Sequence, residues 1–148
     1  MSQADQREER KAGLVQIAEE FGLEGIYVFG SEAKQVVRWV EGDKPGIFVL
    51  AQSDVDIGVK PFVGKMLSVK EKVDLASALE DFFSVNRVDL VVIPEADPFL
   101  GANIIRGERI YCMDEYRADE YDLYILRRAG DLTPLERERI SLIMGEDQ

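Results

Sequence analysis

Apolar residues recur along this chain at two periods, and the alternation between them predicts its elements. From about Asp5 to Phe21 the polar positions are interrupted by Leu14, Ile17, Ala18 and Phe21. That is the i, i+3, i+4, i+7 spacing of a helix with one apolar face, closed by Gly22. Ile26 to Phe29 is short and continuously apolar, as a buried strand is. Gly30-Ser31 then turns the chain, with Ser31 the expected N-cap of a short helical turn through Lys34. Between Gln35 and Gln52, the β-rich groups Val36 to Val40 and Ile47 to Leu50 flank the turn signal Glu41-Gly42-Asp43-Lys44-Pro45-Gly46, which predicts a hairpin-like excursion. Strict alternation returns at Asp54 to Val59, a second strand ended by Lys60-Pro61.

Ser68 and Glu71 have the spacing of a capping box, and Val69, Val73, Ala76, Leu79 and Phe83 form the apolar stripe of the helix it starts. A third strand is expected over Arg87 to Ile93, stopped by Pro94. Asp97-Pro98 then reads as an N-cap and first-turn proline, opening a short helix that ends near Gly107. Arg109 to Cys112 reads as a fourth strand, and Glu115 to Arg128 as a helix ended by Gly130. Thr133-Pro134-Leu135-Glu136 caps a separate terminal helix reaching about Met144. The order predicts the α/β (α+β) class, with helices packed on a small mixed sheet of four to five strands. A single domain over 1–148 is expected, with a core at about 24–95 and a helical extension at about 98–145.

Composition narrows the chemistry. With no histidine and only Cys112 as a thiol, His-ligated zinc, Cys/His dyads and Ser-His-Asp triads are excluded, so acid/base or metal chemistry rests on Asp and Glu. One cysteine forms no intramolecular disulfide, and neither a signal-peptide core nor a run of membrane-spanning length is evident. The expected location is therefore the cytoplasm, with no membrane contact. A formal net charge of −11 argues against non-specific nucleic-acid binding. It does not exclude one nucleotide, since Mg²⁺ bridges carboxylates and phosphates, and it suits a basic protein partner.

Asp54-x-Asp56 proves little alone, because the aspartates of so acidic a chain produce about one such pair by chance. Its context is more specific. Val55, Ile57 and Val59 alternate with Asp54, Asp56 and Gly58, so both carboxylates project from one face of the strand, roughly 6 to 7 Å apart. A solvated polar face is the plain alternative. Asp89 interrupts Val88, Leu90, Val91, Val92 and Ile93, a run that reads as buried on both faces, where an unpaired carboxylate is costly. Either an ion pair with Arg87 or Arg38 offsets that cost, or Asp89 lies beside Asp54 and Asp56 and the three share a hard divalent cation. Gly30 at a strand's end lets a ligand approach the backbone, and the Ser31 hydroxyl and following amides suit phosphate oxygens. A Gly-Ser dipeptide is otherwise an ordinary turn.

Taken together, Gly30-Ser31, Asp54-Val55-Asp56 and Val88-Asp89-Leu90-Val91-Val92-Ile93 resemble the minimal nucleotidyltransferase family of the DNA polymerase beta-like nucleotidyltransferase superfamily, over about Ile26 to Ile93. Ile104-Ile105-Arg106-Gly107-Glu108-Arg109-Ile110-Tyr111 and the Tyr-rich helix beyond it resemble the C-terminal part of that family's antitoxins, which pair with HEPN-type RNase toxins. The resemblance implies a nucleotidyltransferase-like fold and transfer of a nucleotide, most simply AMP from ATP, to a hydroxyl acceptor such as a tyrosine of a HEPN toxin. It also implies two Mg²⁺ ions on Asp54, Asp56 and Asp89, and phosphate contacts from Gly30 and Ser31. Two departures stand out. Glu32 occupies the position where the family commonly has arginine; Lys34 stands near enough to substitute, although an exposed helix lysine is the plainer reading of it, and the interval from Ser31 to Asp54 is longer than in the family. Trp39 in that interval is expected to pack against the sheet rather than over a base or a partner. Transfer to an aminoglycoside-type small molecule and a catalytically inactive interaction module are the competing readings.

Overall fold

The computed structural model describes residues 2–43 and 54–144, with side chains in the last stretch as far as Gly130. Its elements are α1 (Gln3–Phe21), β1 (Leu23–Phe29), α2 (Ala33–Val40), β2 (Asp54–Pro61), α3 (Val69–Phe83), β3 (Arg87–Val92), a 3₁₀ turn (Ile93–Glu95), α4 (Pro98–Ile105), β4 (Glu108–Cys112) and α5 (Glu115–Met144). The four strands form one mixed sheet in the order β3-β2-β1-β4. β1 is antiparallel to both β2 and β4, whereas β2 and β3 run parallel through the α3 crossover. This is the expected α/β class, with four strands among the described residues.

Local chemistry explains the helix ends. In α1, Ser2 Oγ accepts from the Asp5 amide at 3.1 Å, and Gly22 takes the left-handed conformation (φ 67°) that ends the helix. In α3, Ser68 Oγ accepts from the Glu71 amide and the Glu71 carboxylate accepts from the Ser68 amide, both at 3.1 Å, the predicted capping box. Asp97 caps α4 through the Phe99 and Leu100 amides at 2.9 Å, with Pro98 at the first helical position.

Each face of the sheet is covered differently. Ile26, Val28, Val55, Ile57 and Val59 pack with Leu14 and Ala18 of α1 and with Leu75, Leu79 and Phe83 of α3. On the other face Tyr27 and Phe29 pack with Ile93, Ile104 of α4 and Ile125 of α5. The second face is additionally pinned by polar contacts. The Tyr27 hydroxyl donates to Asp122 of α5, and Arg109 of β4 donates to Asp122 at 3.0 Å and Asp119 at 2.9 Å. Burial, reinforced by Asp122, pushes the Tyr27 hydroxyl far above its usual range, so it stays a donor.

Four expectations change. Residues 33–40 form a helix instead of the first arm of a hairpin, because Ala33, Val36, Trp39 and Val40 recur at helical spacing and all four are buried. Burial of that face outweighs the strand preference of the β-branched residues. The second arm, Ile47 to Leu50, lies outside the described residues. Glu32, not Ser31, sits at the N-cap position of α2, and its side chain makes no capping bond. The buried stripe of α3 is Leu75, Leu79 and Phe83, with Val69 and Val73 facing outward. Finally, α5 runs without a break through Gly130 and Pro134 to Met144. A proline removes one amide from the helical ladder, and the flanking turns carry the remaining bonds past it. Trp39 is a core residue, as expected, but it packs on helices: its ring meets Phe82 and Phe83 edge-on at 5.2 and 5.5 Å, and Arg10 stacks over it at 4.2 Å.

Candidate active site

Strand register brings the three aspartates together. Val55, Ile57 and Val59 point into the α1/α3 core, so Asp54, Asp56 and Gly58 project from the opposite face. There α4 packs directly on β2, since a Cβ on Gly58 would stand 2.5 Å from Ile104 Cγ2. Toward the start of β2 the face opens, and Asp54 is exposed and Asp56 half-buried. In the parallel pairing with β3, Asp56 lies opposite Asp89 and Asp54 opposite Arg87. Three carboxylates and one guanidinium thus form a two-by-two array across two strands. Arg87 Nε donates to Asp89 Oδ1 at 2.9 Å, which is the first of the ion pairs anticipated for Asp89. Asp89 is half-exposed, not buried on both faces, because β3 is an edge strand.

Gly30 closes the array from β1. Phe29 pairs with Asp56, and the chain then turns at Gly30 with φ 80°. A Cβ there would stand 2.5 Å from Asp56 Oδ2, so glycine is what lets the turn pass with that carboxylate in place. Ser31 follows, exposed, at the mouth of the same end of the sheet. Gly107, which the sequence marks only as the end of a short helix, completes this edge. Its absent Cβ would meet Val28 O at 2.4 Å, so the α4–β4 turn rests on the backbone that leads to Gly30. An isolated glycine between a helix and a strand carries no signal that distinguishes such an approach from an ordinary cap.

Electrostatics mark Asp56 as the strained member. Burial first, then the charges of Asp89 and Asp54, raise its carboxyl above the usual aspartate range. That repulsion is what a hard divalent cation removes, and carboxylate oxygens are the donors Mg²⁺ prefers, so the donor set suits that ion. Among the described residues no three acidic side chains are already gathered in metal-holding geometry. The Arg87 guanidinium is the cation in contact with the array.

A face of paired carboxylates thus lies at the open end of a mixed sheet, closed by a glycine turn. Residues 14–116 match the family described as polymerase beta, nucleotidyltransferase. The chain belongs to that family. The match spans the Gly30 turn, all three aspartates and the whole sheet, and a nucleotidyltransferase domain is a transferase. No curated protein matches the sequence. Among solved structures, a chain of a toxin–antitoxin complex with AMP-PNP is similar at 18% identity and TM-score 0.65, covering 90% of this chain and 98% of that one. A chain of the tri-AMPylated Shewanella oneidensis HEPN toxin in complex with MNT antitoxin is similar at 16% identity and TM-score 0.65, covering 93% and 98%. A chain of the toxin–antitoxin MntA-HepT is similar at 16% identity and TM-score 0.64, with the same coverage. At such identities the likeness is one of fold. Among the described residues no helix is long and apolar enough to cross a membrane.

Proposed function

We propose that this nucleotidyltransferase moves AMP from ATP to a tyrosine hydroxyl of a HEPN-type toxin, and so serves as the antitoxin of the pair in the cytoplasm. The observation that carries the reading is the register that sets Asp56 beside Asp89 with Gly30 against Asp56. The solved complexes of similar fold support the choice of nucleotide and partner: one holds an ATP analogue and another an AMPylated HEPN toxin.

Asp54 and Asp56 would hold two Mg²⁺ ions, with Asp89 joining one of them. When bound, such ions neutralise developing charge on phosphate oxygens and lower the pKa of an oxygen nucleophile. Gly30 lets the triphosphate approach the backbone, and the Ser31 hydroxyl donates to a phosphate oxygen. The acceptor oxygen bonds to the α-phosphorus in line as the bond to the bridging oxygen breaks. Pyrophosphate leaves with that electron pair, and the hydroxyl proton passes to Asp89. Residues 1–148 act as one unit in this reading, the core carrying the site and the helical extension bracing it.

Intact-mass spectrometry of the chain mixed with a HEPN-type partner, scanned over four NTPs with Mg²⁺, tests it. One AMP increment or more on the partner is expected with ATP. Asp54→Asn and Asp56→Asn should abolish the increment while circular dichroism stays that of the parent. Transfer that persists in EDTA overturns the metal assignment. Glu32 after the Gly-Ser turn keeps a second reading in view, an inactive binding module. A stable complex whose masses never change with any NTP selects that reading.

A further inference from the structure

Asp89 differs from the other two aspartates in what surrounds it. β2, which carries Asp54 and Asp56, lies between β1 and β3, whereas β3 is an edge strand. Asp56 is half-buried and has the Gly30 turn against its Oδ2. Asp89 has no such wall, and its side chain is 41% exposed. A carboxylate in that setting turns freely about two bonds unless a partner holds it. Among the described residues the cation that holds it is Arg87, whose Nε stands 2.9 Å from Asp89 Oδ1.

Packing fixes the face on which this pair lies. Val88, Leu90 and Val92 meet the α1/α3 core, and Val91 packs with Ile93 and Ile104 on the other side of the sheet. Arg87 and Asp89 alternate with the first set, so they share the face of Asp54 and Asp56. The strand register then sets Asp89 directly opposite Asp56 and Arg87 opposite Asp54. A carboxylate offers about four lone-pair sites, so a guanidinium on Oδ1 leaves Oδ2 for a cation shared with Asp56.

Arg87 acts on such a cation in two opposed ways. Its charge repels the ion, but the side chain is 67% exposed, and water and salt hold that repulsion to a factor of about five or less. Fixing the carboxylate works in the other direction, and the partner of a ligating group is worth about tenfold to a hundredfold in metal affinity. The second effect is the larger. We infer that Arg87 is a positioning residue of this site, holding Asp89 beside Asp56 so that the two carboxylates receive one divalent cation together. The inference rests on the proposed metal-binding role of the aspartates. The array is then braced from both sides, by the Gly30 turn on β1 and by Arg87 on β3.

Titration of the full chain with Mn²⁺, the free ion counted by electron paramagnetic resonance, tests this without any transfer. Asp56→Asn defines the binding that belongs to the array. Arg87→Gln should weaken that binding by about tenfold, and Arg87→Lys, which keeps a cation within reach of Asp89, should recover more than half of the loss. The metal-free melts of both variants should stay close to the parent's, because the pair is exposed. Mn²⁺ bound by Arg87→Gln as tightly as by the parent, or more tightly, overturns the inference, since repulsion would then be all that Arg87 contributes. A lowered metal-free melt with unchanged Mn²⁺ affinity overturns it as well, and so does a lysine variant no better than the glutamine one. In each of these cases parental binding that Asp56→Asn abolishes leaves the metal assignment standing. A parent that binds no Mn²⁺ overturns that assignment, and the inference with it.

Discussion

Gly30→Ala separates the backbone strain of the β1–α2 turn from its contact with Asp56. At φ 80° an alanine occupies a left-handed conformation that costs roughly 1–2 kcal/mol, and its Cβ would stand 2.5 Å from Asp56 Oδ2 and 3.5 Å from Cγ. The nearest atom is the tip of a rotatable side chain, so the fold escapes the contact by swinging the carboxylate away. The stability loss should therefore remain near the strain alone, about 1–2 kcal/mol in urea unfolding. The displaced carboxylate leaves the array, and Mg·ATP affinity should fall by about tenfold or more, with transfer falling further. Gly64→Ala is the matched control, since Gly64 has φ 83° and nothing within 4 Å of a built Cβ. It should lose the same stability and keep its nucleotide affinity. Equal nucleotide affinity in the two variants would refute the role given to the Gly30–Asp56 contact.

Other consequences follow from the packing and the polar network. Leu75→Ala should cost about 2–5 kcal/mol in denaturant unfolding, against under about 0.5 kcal/mol for Val73→Ala, because Leu75 is in the core and Val73 faces outward. Tyr27→Phe removes the hydroxyl bound to Asp122, and should cost about 1–3 kcal/mol, since burial already raises the Asp122 carboxyl above the aspartate range. Its far-UV spectrum should stay that of the parent. The Glu71 carboxyl lies below the usual glutamate range, chiefly through the Ser68 amide that it caps. Its contribution to stability is therefore complete above the unfolded-state pKa and disappears as pH falls through the folded one. Thermal melts of Glu71→Gln and the parent should converge toward low pH.

Local signals were legible wherever a residue acts on its own backbone. Ser68 with Glu71, Asp97 with Pro98, and Gly22 after Phe21 produced the helix ends that they predict, because a cap needs only neighbours within one turn. The alternation of Asp54, Asp56 and Gly58 also predicted which side chains share a face, since side-chain period is a property of the strand itself. Residues 33–40 show where that reasoning stops. Val36, Val37, Trp39 and Val40 prefer strands, but Phe82, Phe83 and Arg10, all distant in sequence, receive Trp39 and decide for a helix. The stripe of α3 shifted for the same reason: Leu75 and Val73 are both apolar, and only the position of the sheet beneath α3 chooses between them.

The sequence by itself therefore determined the residue types available for chemistry and the strands that carry them: aspartates at 54, 56 and 89, and a glycine at the end of β1. Only the tertiary structure decided that Asp56 pairs with Asp89 rather than with solvent, and that Arg87 stands opposite Asp54. It alone set Gly30 against one carboxylate oxygen of Asp56. Register between strands depends on what the intervening helix buries against the sheet, a sum over many distant contacts that no single stretch of sequence contains.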